Sequence, residues 1–144
     1  MATADDAGRG SDIAGKLGIE PGMVVQELGW DTDVDEAVRD AVEERCGDEL
    51  LDEDAQDVMD VVLLWWRDGD GDLADDLVDA MSLLAENGVV WVLTPKTGRP
   101  GYVEPSDIAE AAATAGLSQT SNISVTEDWA GARLVGPKAV KSRR

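Results

Sequence analysis

A chain of 144 residues with 43% apolar side chains has the length of one small domain and can bury roughly two-thirds of its unfolded surface around one core. It holds 31 acidic against 12 basic residues, a net charge of −19, with no histidine, no phenylalanine and one cysteine, Cys46. These counts exclude Ser-His-Asp and Cys-His catalysis, histidine metal sites, an internal disulfide framework and Cys-x-x-Cys zinc or redox pairs.

Residues 1–11 are small and polar without apolar periodicity, which predicts a disordered leader before a single domain over residues 12–136. Ser11 or Asp12 can cap a short helix over Ile13, Ala14 and Leu17 that Gly18 ends. Pro21-Gly22 turns into a first strand, Met23 to Leu28. Thr32-x-x-Asp35 has the form of a capping box and opens a helix to about Cys46, with Val34, Val38, Ala41 and Val42 on one face. Residues 48–57 read as an acidic connector. The run Val61 to Trp66, within 57–66, is continuous, β-branched and aromatic, the pattern of a central strand buried on both faces by helices.

The glycines of Arg67-Asp-Gly-Asp-Gly-Asp72 break that strand, and a helix follows from Asp72, its N-cap, to a left-handed cap at Asn87-Gly88. Val89 to Thr94 reads as a second buried strand, followed by a loop over residues 95–101. Ile108, Ala111, Ala112 and Ala115 mark a helix closed by Gly116. Gln119 to Val125 and Ala132 to Val135, joined through residues 127–131, predict an antiparallel hairpin closing one sheet edge. The sum is an α/β fold: three-layer, Rossmann-like, with a mostly parallel sheet and a C-terminal antiparallel hairpin. Residues 137–144 are a short basic stretch that reads as a flexible tail.

The acidity is concentrated. Residues 1–87 carry 26 acids and 5 bases, residues 88–144 carry 5 acids and 7 bases. A surface of that sign suits a basic protein partner and disfavours direct binding of nucleic acid, whose phosphates would meet their own charge. The N-terminus lacks the basic and apolar regions of a signal peptide, and no apolar run approaches the ~20 residues of a membrane span. The expectation is a cytoplasmic protein with no membrane contact.

Two stretches, Val61-Val-Leu-Leu-Trp-Trp-Arg-Asp-Gly-Asp-Gly-Asp-Leu73 and Leu93-Thr-Pro-Lys-Thr-Gly-Arg-Pro-Gly101, with Gly116-Leu117 and Glu127-Asp-Trp129, resemble a family of small acidic actinobacterial proteins classed as a domain of unknown function. The order of elements from residue 57 to 136 also resembles the C-terminal half of Rossmann-like S-adenosylmethionine-dependent methyltransferases. That resemblance implies a glycine-rich cofactor loop after the first strand. This chain has Glu27-Leu-Gly29-Trp30-Asp31-Thr-Asp33 there, one glycine with a bulky tryptophan and several acids. No ribose-binding acid at the end of a second strand has a clear counterpart. The departure implies a domain that kept the scaffold and lost the cofactor.

Candidate sites are few. Asp68, Asp70 and Asp72 alternate with glycine like the start of a calcium loop, but the sixth position is Leu73, so a tight strand-to-helix turn explains them as well. Lys96, Thr97 and Arg99 suit a phosphate or carboxylate, or salt bridges to those three aspartates. Trp65, Trp66 and Trp91 read as core, whereas Trp30 and Trp129 fall in expected loops and are candidate exposed anchors, for a partner or a homodimer. The partner-facing set is therefore Trp30, Asp33, Asp35, Glu36, Asp40, Glu43, Glu44 and Trp129. No catalytic or metal-ligating residue is assigned, and no cofactor is expected. The leading function is a non-catalytic regulatory or adaptor protein, with the transcription or nucleic-acid machinery as one setting. The alternative is a binder of a small molecule, nucleotide or divalent cation, or a divergent methyltransferase-like enzyme using S-adenosylmethionine at the rim of Asp68 to Arg99.

Overall fold

The unbroken apolar run after Asp60 becomes the middle of a sheet. In the computed structural model, which describes residues 13–136, the elements are α1 (residues 13–16), β1 (Val25–Leu28), α2 (Glu36–Cys46), β2 (Met59–Trp65), α3 (Leu73–Met81), β3 (Leu84–Pro95), α4 (Pro105–Ala115), β4 (Ser118–Ser124) and β5 (Trp129–Val135). The leader over residues 1–11, the caps at Ser11 and Asp12, and the tail over 137–144 lie outside the described residues. Strand order is β1-β2-β3-β5-β4. The first three strands are parallel, Val25 opposite Val61 and Val62 opposite Val90, and β5 runs antiparallel to both β3 and β4.

Side-chain alternation along β2 divides the interior in two. Val61, Leu63 and Trp65 face α2 and α1, packing with Val38, Val42, Leu17 and Trp91. Val62, Leu64 and Trp66 face α3 and α4, packing with Leu77, Ala80, Ile108 and Ala112. The three-layer α/β architecture follows from that division. Trp65, Trp66 and Trp91 are all buried, as their strand positions require.

The C-terminal hairpin closes one sheet edge, as the sequence predicts, with β5 against β3 and β4 outermost. Composition explains that order: Ser-Gln-Thr-Ser-Asn-Ile-Ser tolerates an exposed edge, while β5 buries Trp129, Ala132 and Leu134. The structure departs from the sequence reading at three places. Trp129 is thus no exposed anchor; it is 2% exposed and stands edge-on to Trp65, ring centroids 4.8 Å apart at 81°.

Helix α2 starts later than Thr32, because Asp31 makes a turn with Thr32 and Val34 and the N-cap passes to Asp35, which accepts from the Ala37 amide at 3.0 Å. Helix α3 is capped by Asp72 as expected but stops at Met81, and Asn87-Gly88 lies inside β3 rather than at a helix end. Pairing decides this boundary: the Leu83 carbonyl accepts from the Met59 amide at 2.8 Å, drawing the chain into the sheet before another helical turn can form. Among the described residues no helix is long and apolar enough to cross a membrane.

Candidate functional site

The chain diverges between β1 and β2. After β1 it passes through α2 on one face to Leu51, which pairs with Gln26 as a single parallel bridge on the outer side of β1. After β2 it passes through α3 on the other face to β3. Open α/β sheets bind ligands at the carboxyl ends of strands where the connections diverge in this way. Here that position opens into a cleft of about 940 Å³, lined among others by Glu27, Trp30, Asp52, Asp70, Asp76 and Asp79.

Two internal ion networks include residues that line this crevice, Glu27 in one and Asp70 in the other. Glu27, 8% exposed, accepts through one carboxylate oxygen from Trp65 Nε1 at 2.9 Å and Arg39 Nε at 2.8 Å, while Arg39 also pairs with Glu36 at 3.0 Å. Arg67, directly after the two tryptophans, lies across the strand ends. Its guanidinium donates to the Gly29 carbonyl at 2.8 Å, to both oxygens of Asp33 at 2.6 and 3.0 Å, and to Asp70 at 3.4 Å. It also sits over Trp129, 5.7 Å from the ring centroid. The side chain is 13% exposed. One cation thus ties the loop after β1, the loop after β2 and the start of β5.

The hydrogen bond from Arg67 holds the Asp33 carboxyl below its usual range, against the opposing effect of partial burial. A depressed folded-state value gives stability that is present above pH 3.8 and is lost as the pH falls below it. Asp76 is shifted the other way, first by burial and then by the charges of Asp79, Asp70, Asp75 and Asp72. The native state then holds the Asp76 proton more tightly than the unfolded chain, so stability falls as the pH rises from 3.8 through the raised value. Asp76→Asn is expected to raise stability at pH 7 by up to about 1 kcal/mol after solvent screening, and to leave it unchanged below that window. Thermal melts at the two pH values check it; a destabilised variant at pH 7 would contradict the uncompensated charge.

The six rim candidates do not converge. Asp70 lines the large cleft, whereas Lys96 and Thr97 line a separate one of about 340 Å³ beside α4. The expected salt bridges between the two loops are replaced by others: Arg67 takes Asp70, Arg99 takes Asp128 at 3.1 Å, and Lys96 donates to the Ser124 hydroxyl. The loops meet through backbone instead, the Asp68 amide donating to the Gly101 carbonyl at 2.9 Å. Asp68 is exposed, and Asp72 caps α3. No group of three or more acidic or thiol side chains among the described residues is arranged to hold a metal ion.

Of the partner-facing set, Trp30 is 53% exposed, while Asp33 and Glu36 are engaged with Arg67 and Arg39. Glu43 accepts from the Leu50 amide at 3.0 Å and Asp35 caps α2. Asp40 and Glu44 stand exposed on α2. Arg67, Arg39 and Glu27 were not among the sequence candidates. The available signal was a charged residue inside a buried run, Val-Gln-Glu-Leu, and an arginine ending the most apolar strand.

The loop after β1 carries one glycine, Gly29, where the resemblance to methyltransferases implies a glycine-rich one. Gly29 serves the sheet: a Cβ there would lie 2.3 Å from the Trp65 carbonyl oxygen. The next residue is the bulky Trp30. An acid does follow the one-residue bridge at Leu51, a counterpart that the sequence alone left unassigned. It is Asp52, whose carboxylate is turned into its own loop, accepting from the Asp54 amide at 3.0 Å.

Known proteins match this chain at two levels. The family described as Protein of unknown function (DUF3052) matches residues 14–138. Proteins of Mycobacterium tuberculosis and Mycobacterium bovis, both described as uncharacterized, are 56% identical over 143 residues, covering 99% of this chain and 90% of their own length. Among solved structures, the pyocyanin biosynthetic protein PhzM aligns with a TM-score of 0.67 at 11% identity, over 90% of this chain and 54% of its own. A TehB-like SAM-dependent methyltransferase from Corynebacterium glutamicum aligns at 0.56 and 13% identity, over 90% and 88%. At these identities the structures share the fold with this chain, which spans about half the length of PhzM.

Proposed function

This chain belongs to the family described as Protein of unknown function (DUF3052), and from that premise we propose that it is a methyltransferase-type scaffold without methyl transfer, a cytoplasmic adaptor that docks a basic protein partner through its acidic surface. The observation that carries this reading is Arg67. Its guanidinium binds the Gly29 carbonyl and Asp70, two residues that line the crevice, and pairs with Asp33. The chain has no histidine, and among the described residues no group of three or more acidic or thiol side chains is arranged to hold a metal ion. The excess of acids over residues 1–87 is then the property through which such a scaffold acts. Nucleic acid and anionic membranes carry the wrong sign for that surface.

Two measurements test the two halves. S-adenosylmethionine at millimolar concentration is expected to move the melting temperature by less than about 1 °C, whereas a ligand at a hundred times its Kd would add ~2.7 kcal/mol. A dose-dependent rise would return the chain to the cofactor binders. Association with a basic protein is expected to weaken steeply with salt. Binding that is equal at low and high salt would remove the electrostatic basis of the adaptor.

A further inference from the structure

A second cavity lies away from the crevice, on the α2 face of the sheet. It is a groove of about 660 Å³ between α1, α2 and the turn joining β4 to β5. Its floor is apolar, built from Ile13, Ala37, Ala41 and Val125. Its rim carries four carboxylates, Asp35 and Asp40 and Glu44 from α2 and Glu127 from the turn. Lys16 also borders it and donates to the Ser124 carbonyl at 3.3 Å.

The chain distributes its cations unevenly. Arg39 neutralises Glu27 and Glu36, Arg67 neutralises Asp33 and Asp70, and Arg99 neutralises Asp128. Asp40, Glu44 and Glu127 form no ion pair with any described residue. Asp40 and Glu44 stand one helical turn apart, where like charges repel and a bound cation relieves the repulsion. Ala37 and Ala41, also one turn apart on α2, leave a shallow surface on which another helix can approach closely.

We propose that this groove docks a basic amphipathic helix of a partner protein, its apolar side chains on Ile13 and Ala37 above the buried Ala41 and Val125, and its lysines or arginines against Asp35, Asp40, Glu44 and Glu127. The inference rests on the adaptor reading and assigns that reading a surface and a partner chemistry. Apolar floor and anionic rim are both needed: the floor supplies contact area and the rim selects the sign.

The test uses the full chain and two synthetic helical peptides of equal length and lysine content. One carries leucines at i, i+3, i+4 and i+7; the other carries serines there. Fluorescence anisotropy is expected to show the leucine peptide binding at least about tenfold more tightly. Asp40→Asn, Glu44→Gln and Glu127→Gln together should weaken it about tenfold. Asp57→Asn, Glu86→Gln and Glu110→Gln change the net charge equally on other surfaces and should weaken it less than about twofold.

Equal binding of both peptides, with equal losses in both triple variants, would overturn the groove and leave the adaptor reading standing. Failure of both peptides to bind at low salt would end both. Should the rim variant not fold, amide shifts on the unmodified chain decide: changes at Ala37, Ala41 and Val125 on adding the leucine peptide support the groove, and changes confined to residues 48–57 overturn it.

Discussion

Replacing Arg67 by methionine is expected to lower stability by about 2–3 kcal/mol, a fall in melting temperature of roughly 10 °C for a domain of this size. The substitution keeps the apolar stem and removes the guanidinium. Asp33 and Asp70 then lose their cation, the Gly29 carbonyl loses its donor, and Trp129 loses the charge over its ring. The cost stays below that of a fully buried broken pair, ~3–5 kcal/mol, because Asp33 and Asp70 are 46% and 36% exposed and water can solvate them. Lysine at the same position should recover only part of the loss, since an ammonium cannot bridge a carbonyl and two carboxylates with one planar fork. The pH profile separates this role from simple packing. Without Arg67, Asp33 loses the strongest influence that lowers its pKa, and the acid limb of the stability curve flattens. A methionine variant melting within about 2 °C of the parent would show that the crevice closes without its cation.

Gly29→Ala should be more severe, costing about 3–5 kcal/mol or preventing folding. Gly29 has φ +78, where an alanine costs ~1–2 kcal/mol from its own backbone. The added Cβ would also meet the Trp65 carbonyl oxygen at 2.3 Å, and that atom belongs to the central strand and cannot swing aside. Gly98 provides the matched control. Its φ is +90 and nothing lies within 4 Å of its Cβ position, so Gly98→Ala should cost only the backbone share, ~1–2 kcal/mol. Equal losses in denaturant titrations of the two variants would mean that the close approach of loop and strand carries no weight.

Both substitutions act where α/β enzymes keep their cofactor, and the comparison separates what the scaffold requires from what a ligand would require. A glycine in this loop usually permits close approach of a bound molecule. In this chain the approaching atom is protein, the Trp65 carbonyl.

Local pattern carried most of the architecture. The unbroken run Val61 to Trp66 identified the central strand, Asp72 and Gly116 marked helix boundaries, and the opposite directions of Trp65 and Trp66 followed from alternation alone. Charge counts likewise located the acidic half of the chain. What lay beyond the sequence were the choices made between elements distant along the chain. Ala132 to Val135 reads as a strand, but its place between β3 and β4 depends on which strand must be covered. Trp129 reads as a loop residue until Trp65 and Arg67 gather around it. Arg67 could have paired with any of several acids, and only the folded sheet brings Asp33, from 34 positions earlier, within 2.6 Å of it. Composition and periodicity thus determined the layers, their order and the sign of the surface, because those depend on near neighbours. Which carboxylates are neutralised, and which form no ion pair among the described residues, was decided by tertiary structure, because ion pairing depends on distances that no local pattern encodes.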